Sequence, residues 1–169
     1  MASRRQHGFT LIELLLVIAI IGIVAAISAP GLLRARMSGN EANAIGSIRA
    51  ISTAQHAYSG QCNGYAPVLT ELKAAGNFLS PDMTSGPVLS KSGYTVTLVA
   101  GAGNLVLSTQ GAGCTAAGTS YVATAVPLSI GTSGTRGFAT DERGAIWQDM
   151  TGAAPTQPFT PSVTISIIQ

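Results

Sequence analysis

The chain reads as an α+β protein, a long N-terminal helix packed on a small antiparallel β-sheet. Three observations predict this. An unbroken apolar stretch near the N-terminus gives way to a segment of helical periodicity. After residue 92 the pattern turns to short runs rich in Val, Thr, Tyr and Leu. Gly, Pro and Ser punctuate those runs at turn-like intervals.

The first element is Phe9 to Ala29, FTLIELLLVIAIIGIVAAISA, 21 residues. As a helix rising roughly 1.5 Å per residue it reaches about 31 Å, the thickness of a hydrocarbon core. Arg4 and Arg5 precede it, so the positive-inside rule places the N-terminus in the cytoplasm and the remaining ~140 residues outside. Glu13 interrupts the apolar run. A carboxylate at membrane depth costs on the order of 2.5–3.5 kcal/mol, and a chain that accepts such a cost uses the group. One reading of the segment is a cleaved secretory signal, against which stand its length, the early Glu13 and the proline after Ala29. A second is a plain single-span anchor in which Thr10-Leu11-Ile12-Glu13 forms a capping box. The third rests on the family resemblance described below.

Pro30-Gly31 interrupts the helical pattern, either kinking the helix or ending it. Beyond it, Glu41 to Tyr58 reads as a second helical half. Ile45, Ile48, Ile51, Ala54 and Tyr58 recur at spacings of three and four and form a face that would cover a sheet. Ser59-Gly60 is the expected helix stop. Arg34, Arg36 and Glu41 are expected as a solvated collar at the membrane edge, with charge pairs between subunits as the alternative. Residues 60–92 form a connecting region with a short helix near Leu69 to Ala75 and breakers at Gly76, Pro81, Gly86 and Pro87. Strand patterns follow at Tyr94–Val99, Leu105–Leu107 and Tyr121–Val126. Gly137–Thr140 and Ala145–Trp147 flank Asp141-Glu142-Arg143-Gly144 as a hairpin. Pro155, Pro158 and Pro161 suggest an extended linker before a last strand at Val163–Ile168.

Cys62 and Cys114 are the complete cysteine set. Outside a membrane they read most simply as one disulfide, the alternative being two unpaired buried thiols. Their spacing argues against zinc. Only 9% of residues are charged, and outside Arg4 and Arg5 the two signs balance. No basic patch remains for nucleic acid as a primary ligand. His7 lies in the leader, which leaves His56 as a structural or exposed histidine. Asp141, Glu142 and Asp149 carry oxygens suited to calcium, but a solvated turn is the preferred reading. No nucleophile triad, phosphate loop or metal-spaced cluster is present, so neither an enzyme nor a cofactor is expected.

The segment Gly8-Phe9-Thr10-Leu11-Ile12-Glu13-Leu14-Leu15, with its charged leader, apolar run and Pro30, resembles the prepilin processing signature of type IV pilins and type II secretion pseudopilins. Residues 134–146, GTRGFATDERGAI, are similar to the closing hairpin of small type IVa-like pilins, and Gly64-Tyr65-Ala66-Pro67 and Lys91-Ser92-Gly93-Tyr94 fit the same pattern. The resemblance implies a leader of residues 1–8, a transmembrane and assembly helix 9–29, an amphipathic half 30–59 and a globular ectodomain 60–169, its sheet over 93–169. It implies that a prepilin peptidase cuts after Gly8 and N-methylates Phe9. Glu13 would then pair with the Phe9 ammonium of a neighbouring subunit, a pairing far less costly than two lone charges. The implied partners are the membrane before assembly, the inner-membrane assembly machinery and further copies in a helical filament. The implied location is the inner membrane first and the extracellular pilus afterwards. Adhesion and twitching motility would depend on tip proteins and motors. The Ala- and Gly-rich stretch 100–118 looks like an insertion. The implied subunit is a major pilin, with a minor pilin, a pseudopilin or a membrane-anchored binding module as alternatives.

Overall fold

The computed structural model describes residues 8–108 and 110–168; Arg4, Arg5 and His7 of the leader lie outside them. The first element, α1, runs from Leu11 to Cys62 as one helix of 52 residues with Pro30 in its interior. The reading in which Pro30 ends the helix is therefore corrected. Proline removes one backbone donor and crowds the turn before it, yet the strong helix formers on both sides carry the helix across. Ser59-Gly60 is not the stop either. Asn63, at φ 60°, takes the left-handed conformation just past the last helical residue, the place where a helix-ending residue acts.

The chain divides into one unit through Arg36 and a second from Met37 onward. In the first, every described residue is exposed. The second is built on a six-stranded antiparallel sheet in the order β1-β2-β3-β4-β5-β6. The strands are β1 (Val88–Lys91), β2 (Tyr94–Ala100), β3 (Tyr121–Pro127), β4 (Gly137–Asp141), β5 (Ile146–Asp149) and β6 (Ile165–Ile167). Between α1 and the sheet lie α2 (Leu69–Ala74) and a 3₁₀ turn (Pro81–Met83). Sequential pairing throughout makes this a meander, whose connections alternate between the two ends of the sheet.

Five of the strands, β2 to β6, follow the expected runs to within a few residues. β1 was not foreseen, since only Leu89 of its four residues is buried and a single inward side chain leaves no alternation to read. Its register is set by the turn at Ser92-Gly93, where Lys91 pairs with Tyr94. Both turn residues have positive φ, 49° and 74°, as a two-residue hairpin turn of this twist requires. Leu105–Leu107 is not a strand. Val106 makes only an isolated bridge to Gly118, where the loop folds back on itself and the Leu107 and Thr119 N–H groups donate to the Ala117 and Leu105 carbonyls at 2.9 and 3.1 Å.

The buried face of α1 supplies Ile48, Ile51, Ala54 and Tyr58 to a core that also holds Tyr94, Val96, Leu98, Tyr121 and Phe138. Ala123 and Ala125 in the centre of β3 are fully buried; their small size leaves room for the helix. Ala139, Trp147 and Phe159 form a second cluster, with Val122 and Ile165 packed against it. Phe159 stands 5.7 Å from Trp147, centroid to centroid. The proline-rich tail is thus seated on the sheet rather than acting as a free linker, which is why β4 is buried along its whole length.

Candidate assembly site

Thr10 and Glu13 close the helix start reciprocally. The Thr10 backbone N–H and hydroxyl donate to Glu13 Oε2 at 2.9 and 2.7 Å, and the Glu13 N–H donates to Thr10 Oγ1 at 3.3 Å. This is a capping box, anticipated from the spacing. Two acceptor positions of the carboxylate are used this way, and a carboxylate has about four. Gly8 and Phe9 precede the helix and are exposed, Phe9 at 77%. From Leu11 to Ile27 the apolar side chains are likewise exposed. The segment is long and apolar enough to cross a membrane. Pro30 lies further along the same helix, where its missing N–H leaves the Ala26 carbonyl short of its usual donor. Ser28 adds a bond of its own to the Val24 carbonyl at 2.8 Å.

In the sheet unit, Glu41 departs from expectation. It is only 7% exposed, not a solvated collar residue. Oε1 accepts from the Thr135 N–H and hydroxyl, both at 2.9 Å, and Oε2 accepts from Arg136 Nε and Nη2 at 2.9 and 2.6 Å. Burial acts to raise the Glu41 carboxyl, but the Arg136 and Thr135 hydrogen bonds outweigh it and hold the group below the ordinary carboxylate range. Arg136 also donates to Gln148 at 2.8 Å and lies 5.6 Å over the Phe138 ring. Asn40 donates to the Ser133 carbonyl at 2.9 Å. Helix and β3–β4 loop are therefore clamped together. Nothing local in the sequence marks this, because Glu41 and Arg136 lie 95 residues apart.

Cys62 and Cys114 form a disulfide, with Cα atoms 5.7 Å apart. It joins the end of α1 to the β2–β3 loop. Around it, Gln61 donates to the Ala75 and Ala112 carbonyls at 3.0 and 3.2 Å, and the Tyr58 hydroxyl donates to the Ala116 carbonyl. Gln55, fully buried, both donates to and accepts from the Ala66 backbone at 2.8 Å, fixing Gly64-Tyr65-Ala66-Pro67 against the helix. Asp141 is not the solvated turn residue expected. It is 3% exposed and its Oδ1 accepts the Arg143 N–H at 3.1 Å, while Asp149 does the same for Thr151 at 2.9 Å. Among the described residues no three His, Cys, Asp or Glu gather to hold a metal. His56 is exposed and meets the Tyr65 ring edge-on at 6.5 Å.

Residues 3–29 match the family described as the prokaryotic N-terminal methylation motif. The chain is 35% identical over 98 residues to the type IV wide pilus major component PilA4 of Thermus thermophilus, a match covering 58% of this chain and 75% of that protein. It is 37% identical over 68 residues to the type IV major pilin protein PilA of Myxococcus xanthus, over 40% of this chain and 31% of the relative. It is 35% identical over 77 residues to the type II secretion system core protein G of Aeromonas hydrophila, over 46% of this chain and 54% of the relative. The match thus spans under a third of the Myxococcus protein and about half of the Aeromonas one. No solved structure gives a significant match.

Proposed function

This chain belongs to the type IV pilin family, and from that premise we propose that it is the repeating subunit of a type IV pilus. The observation that carries the reading is the apolar first part of α1, its large side chains exposed from Leu11 to Ile27, with one carboxylate near its start. An apolar stripe of this size has two favourable surroundings, a bilayer and the helices of other copies. A filament subunit uses both in turn: it waits in the inner membrane and then packs its helix with those of its neighbours outside the cell.

Cleavage after Gly8 frees an ammonium on Phe9, three residues before Ile12 and four before Glu13. The acceptor positions of Glu13 not taken by Thr10 suit such an ammonium from a neighbouring copy. A paired charge in an apolar core costs far less than a lone one, so the pair would favour the axial stagger that forms it. Methylation keeps the cation while enlarging its apolar surface. A prepilin peptidase and the inner-membrane assembly machinery are the implied partners. The full sheet domain and near-neutral surface favour a major subunit.

The test is N-terminal sequencing and intact mass of filaments sheared from cells. An abundant chain beginning at methylated Phe9 is the expected result; an intact leader would overturn the assignment of Gly8 and Phe9. Glu13→Gln is expected to keep cleavage and abolish or sharply reduce filaments. Normal filaments from that variant would remove the role given to Glu13. The likeness to a type II secretion core protein favours a pseudopilin as the second reading. It predicts the same mature chain held in the cell envelope, with no sheared filament.

A further inference from the structure

The tail from Thr151 to Gln169 carries six Ser and Thr hydroxyls and no ionisable side chain. Four of the hydroxyls are engaged. Thr151 Oγ1 accepts the Ala153 N–H at 3.4 Å, and Ser162 Oγ accepts the Thr164 N–H at 3.3 Å. The Ser162 and Thr164 hydroxyls meet at 3.5 Å, and Ser166 Oγ accepts from Gln148 at 3.0 Å. Thr156 and Thr160 differ: both are exposed, and among the described residues neither hydroxyl finds a partner. The local sequence explains why. A threonine hydroxyl closes on its own backbone by accepting the N–H two residues on. Two residues after Thr156 stands Pro158, which has no N–H to give. Two after Thr160 stands Ser162, whose N–H already donates to the Ile165 carbonyl at 2.9 Å. Burial alternates along the same stretch. Pro155 and Phe159 are buried, and half-buried Gln157 accepts the Ala102 N–H on Oε1 at 2.7 Å. Thr156, Pro158 and Thr160 are exposed. The backbone is held down at every second residue, and the two free hydroxyls are held out.

We propose that Thr156 and Thr160 are sites of O-linked glycosylation, each accepting a sugar from a diphosphate-linked donor. A stretch of Ser and Thr interleaved with Pro is the composition that carries O-linked sugars; the structure selects which of the six hydroxyls accept. A transferase needs an oxygen that is exposed, unbonded and on backbone outside helices and strands. Thr156 and Thr160 meet all three conditions. In the transfer, the threonine Oγ1 attacks the anomeric carbon of the sugar. The new carbon–Oγ1 bond forms as the bond from that carbon to the diphosphate oxygen breaks. The diphosphate leaves with the electron pair, and the hydroxyl proton passes to a base of the transferase; nothing is oxidised or reduced. The sugar supplies what this surface lacks. Only 9% of residues are charged and the tail has none, and a surface near neutrality associates without specificity. A bulky, solubilising group over Phe159 and Trp147 hydrates that face instead. The proposal goes beyond the filament reading and needs only the geometry of the tail.

The experiment takes the full chain from the cells that make it, from sheared filaments and from the envelope alike, and reads peptide masses after trypsin. No Lys or Arg follows Arg143, so residues 144–169 leave as one peptide, apart from any methylation at Phe9. The expected peptide is heavier than its sequence by one or two sugar units, which electron-transfer fragmentation locates on Thr156 and Thr160. Thr156→Val with Thr160→Val is expected to lose the whole excess, and Thr156→Ser with Thr160→Ser to keep it, since the hydroxyl is the acceptor. Both positions are exposed, so an unchanged melting temperature is expected of either variant. A native peptide of bare sequence mass overturns the proposal. So does an excess that persists in the valine variant, or one that maps to Thr151, Ser162, Thr164 or Ser166. Blocking membrane insertion of the chain separates the two donors of this chemistry, and both arms support the site. Sugar still added assigns a soluble nucleotide-linked donor; sugar lost assigns a polyprenyl-linked one. The filament reading fails separately, through absence of the chain from sheared material, with the modified peptide still present in the envelope.

Discussion

Glu41 shows how a single residue can be misread from its neighbours in sequence. Beside Arg34 and Arg36 it looks like part of a solvated charge cluster, yet its carboxylate receives four hydrogen bonds from Thr135 and Arg136. Removing it by Glu41→Ala strands the Thr135 and Arg136 donors, which costs about 1–3 kcal/mol. A fall of several degrees in the melting temperature of the sheet unit is expected by calorimetry. The same clamp has a pH signature. Because the folded Glu41 titrates below its ordinary value of 4.5, its stabilisation is whole above that pH and fades as pH drops towards the folded value. Melting curves taken from about pH 7 down to about pH 3 should therefore slope less in Glu41→Gln than in the native chain. Equal slopes would show that the clamp does not couple to folding.

Two tyrosines set the opposite limit. Burial pushes Tyr94 and Tyr121 from 10.0 up to about 12, with Glu41 adding to the rise at Tyr94. Their hydroxyls stay neutral in the folded state after the unfolded chain has begun to ionise. Stability is thus complete below pH 10 and is lost between 10 and about 12. Tyr94→Phe should soften that alkaline loss, though it also removes the bond to the Arg136 carbonyl at 2.9 Å. Absorbance titration of phenolate against unfolding reports it directly.

At the scale of elements, the disulfide holds the end of α1 to a loop with little regular structure. It bridges a sequence separation of 52 residues, for which the chain-entropy account gives about 4 kcal/mol. Cys62→Ser with Cys114→Ser should lower the stability of the sheet unit by roughly that amount. Protease cleavage should then appear first between residues 101 and 118, where the loop loses its covalent tie. Hydrogen bonds from Gln61 to the Ala112 carbonyl and from Tyr58 to the Ala116 carbonyl of the same loop limit the effect, and cleavage elsewhere first would contradict this account. Pro30 belongs to this scale too. Proline alone does not end a helix when strong helix formers continue beyond it, and α1 crosses it unbroken.

For the whole molecule, legibility tracked the range of the interaction. The capping box was read from four consecutive residues, and the apolar helix from a run of 21. The disulfide needed only a count of two. β2, β3, β4 and β5 were visible because inward and outward residues alternate along them or turn residues frame them. β1 escaped, having one buried side chain, and Leu105–Leu107 misled, since a short apolar run is equally at home in a loop. Thus composition and periodicity determined the fold class and the membrane-competent segment, which follow from local chemistry that each residue carries wherever it sits, while the family was legible only through the resemblance of the short motif Gly8 to Leu15. Only the tertiary structure decided that Glu41 meets Arg136 and that Phe159 covers Trp147. Those facts depend on which distant segments the meander brings together. Pairing across 95 residues, as between Glu41 and Arg136, leaves no trace in the pattern of either segment alone.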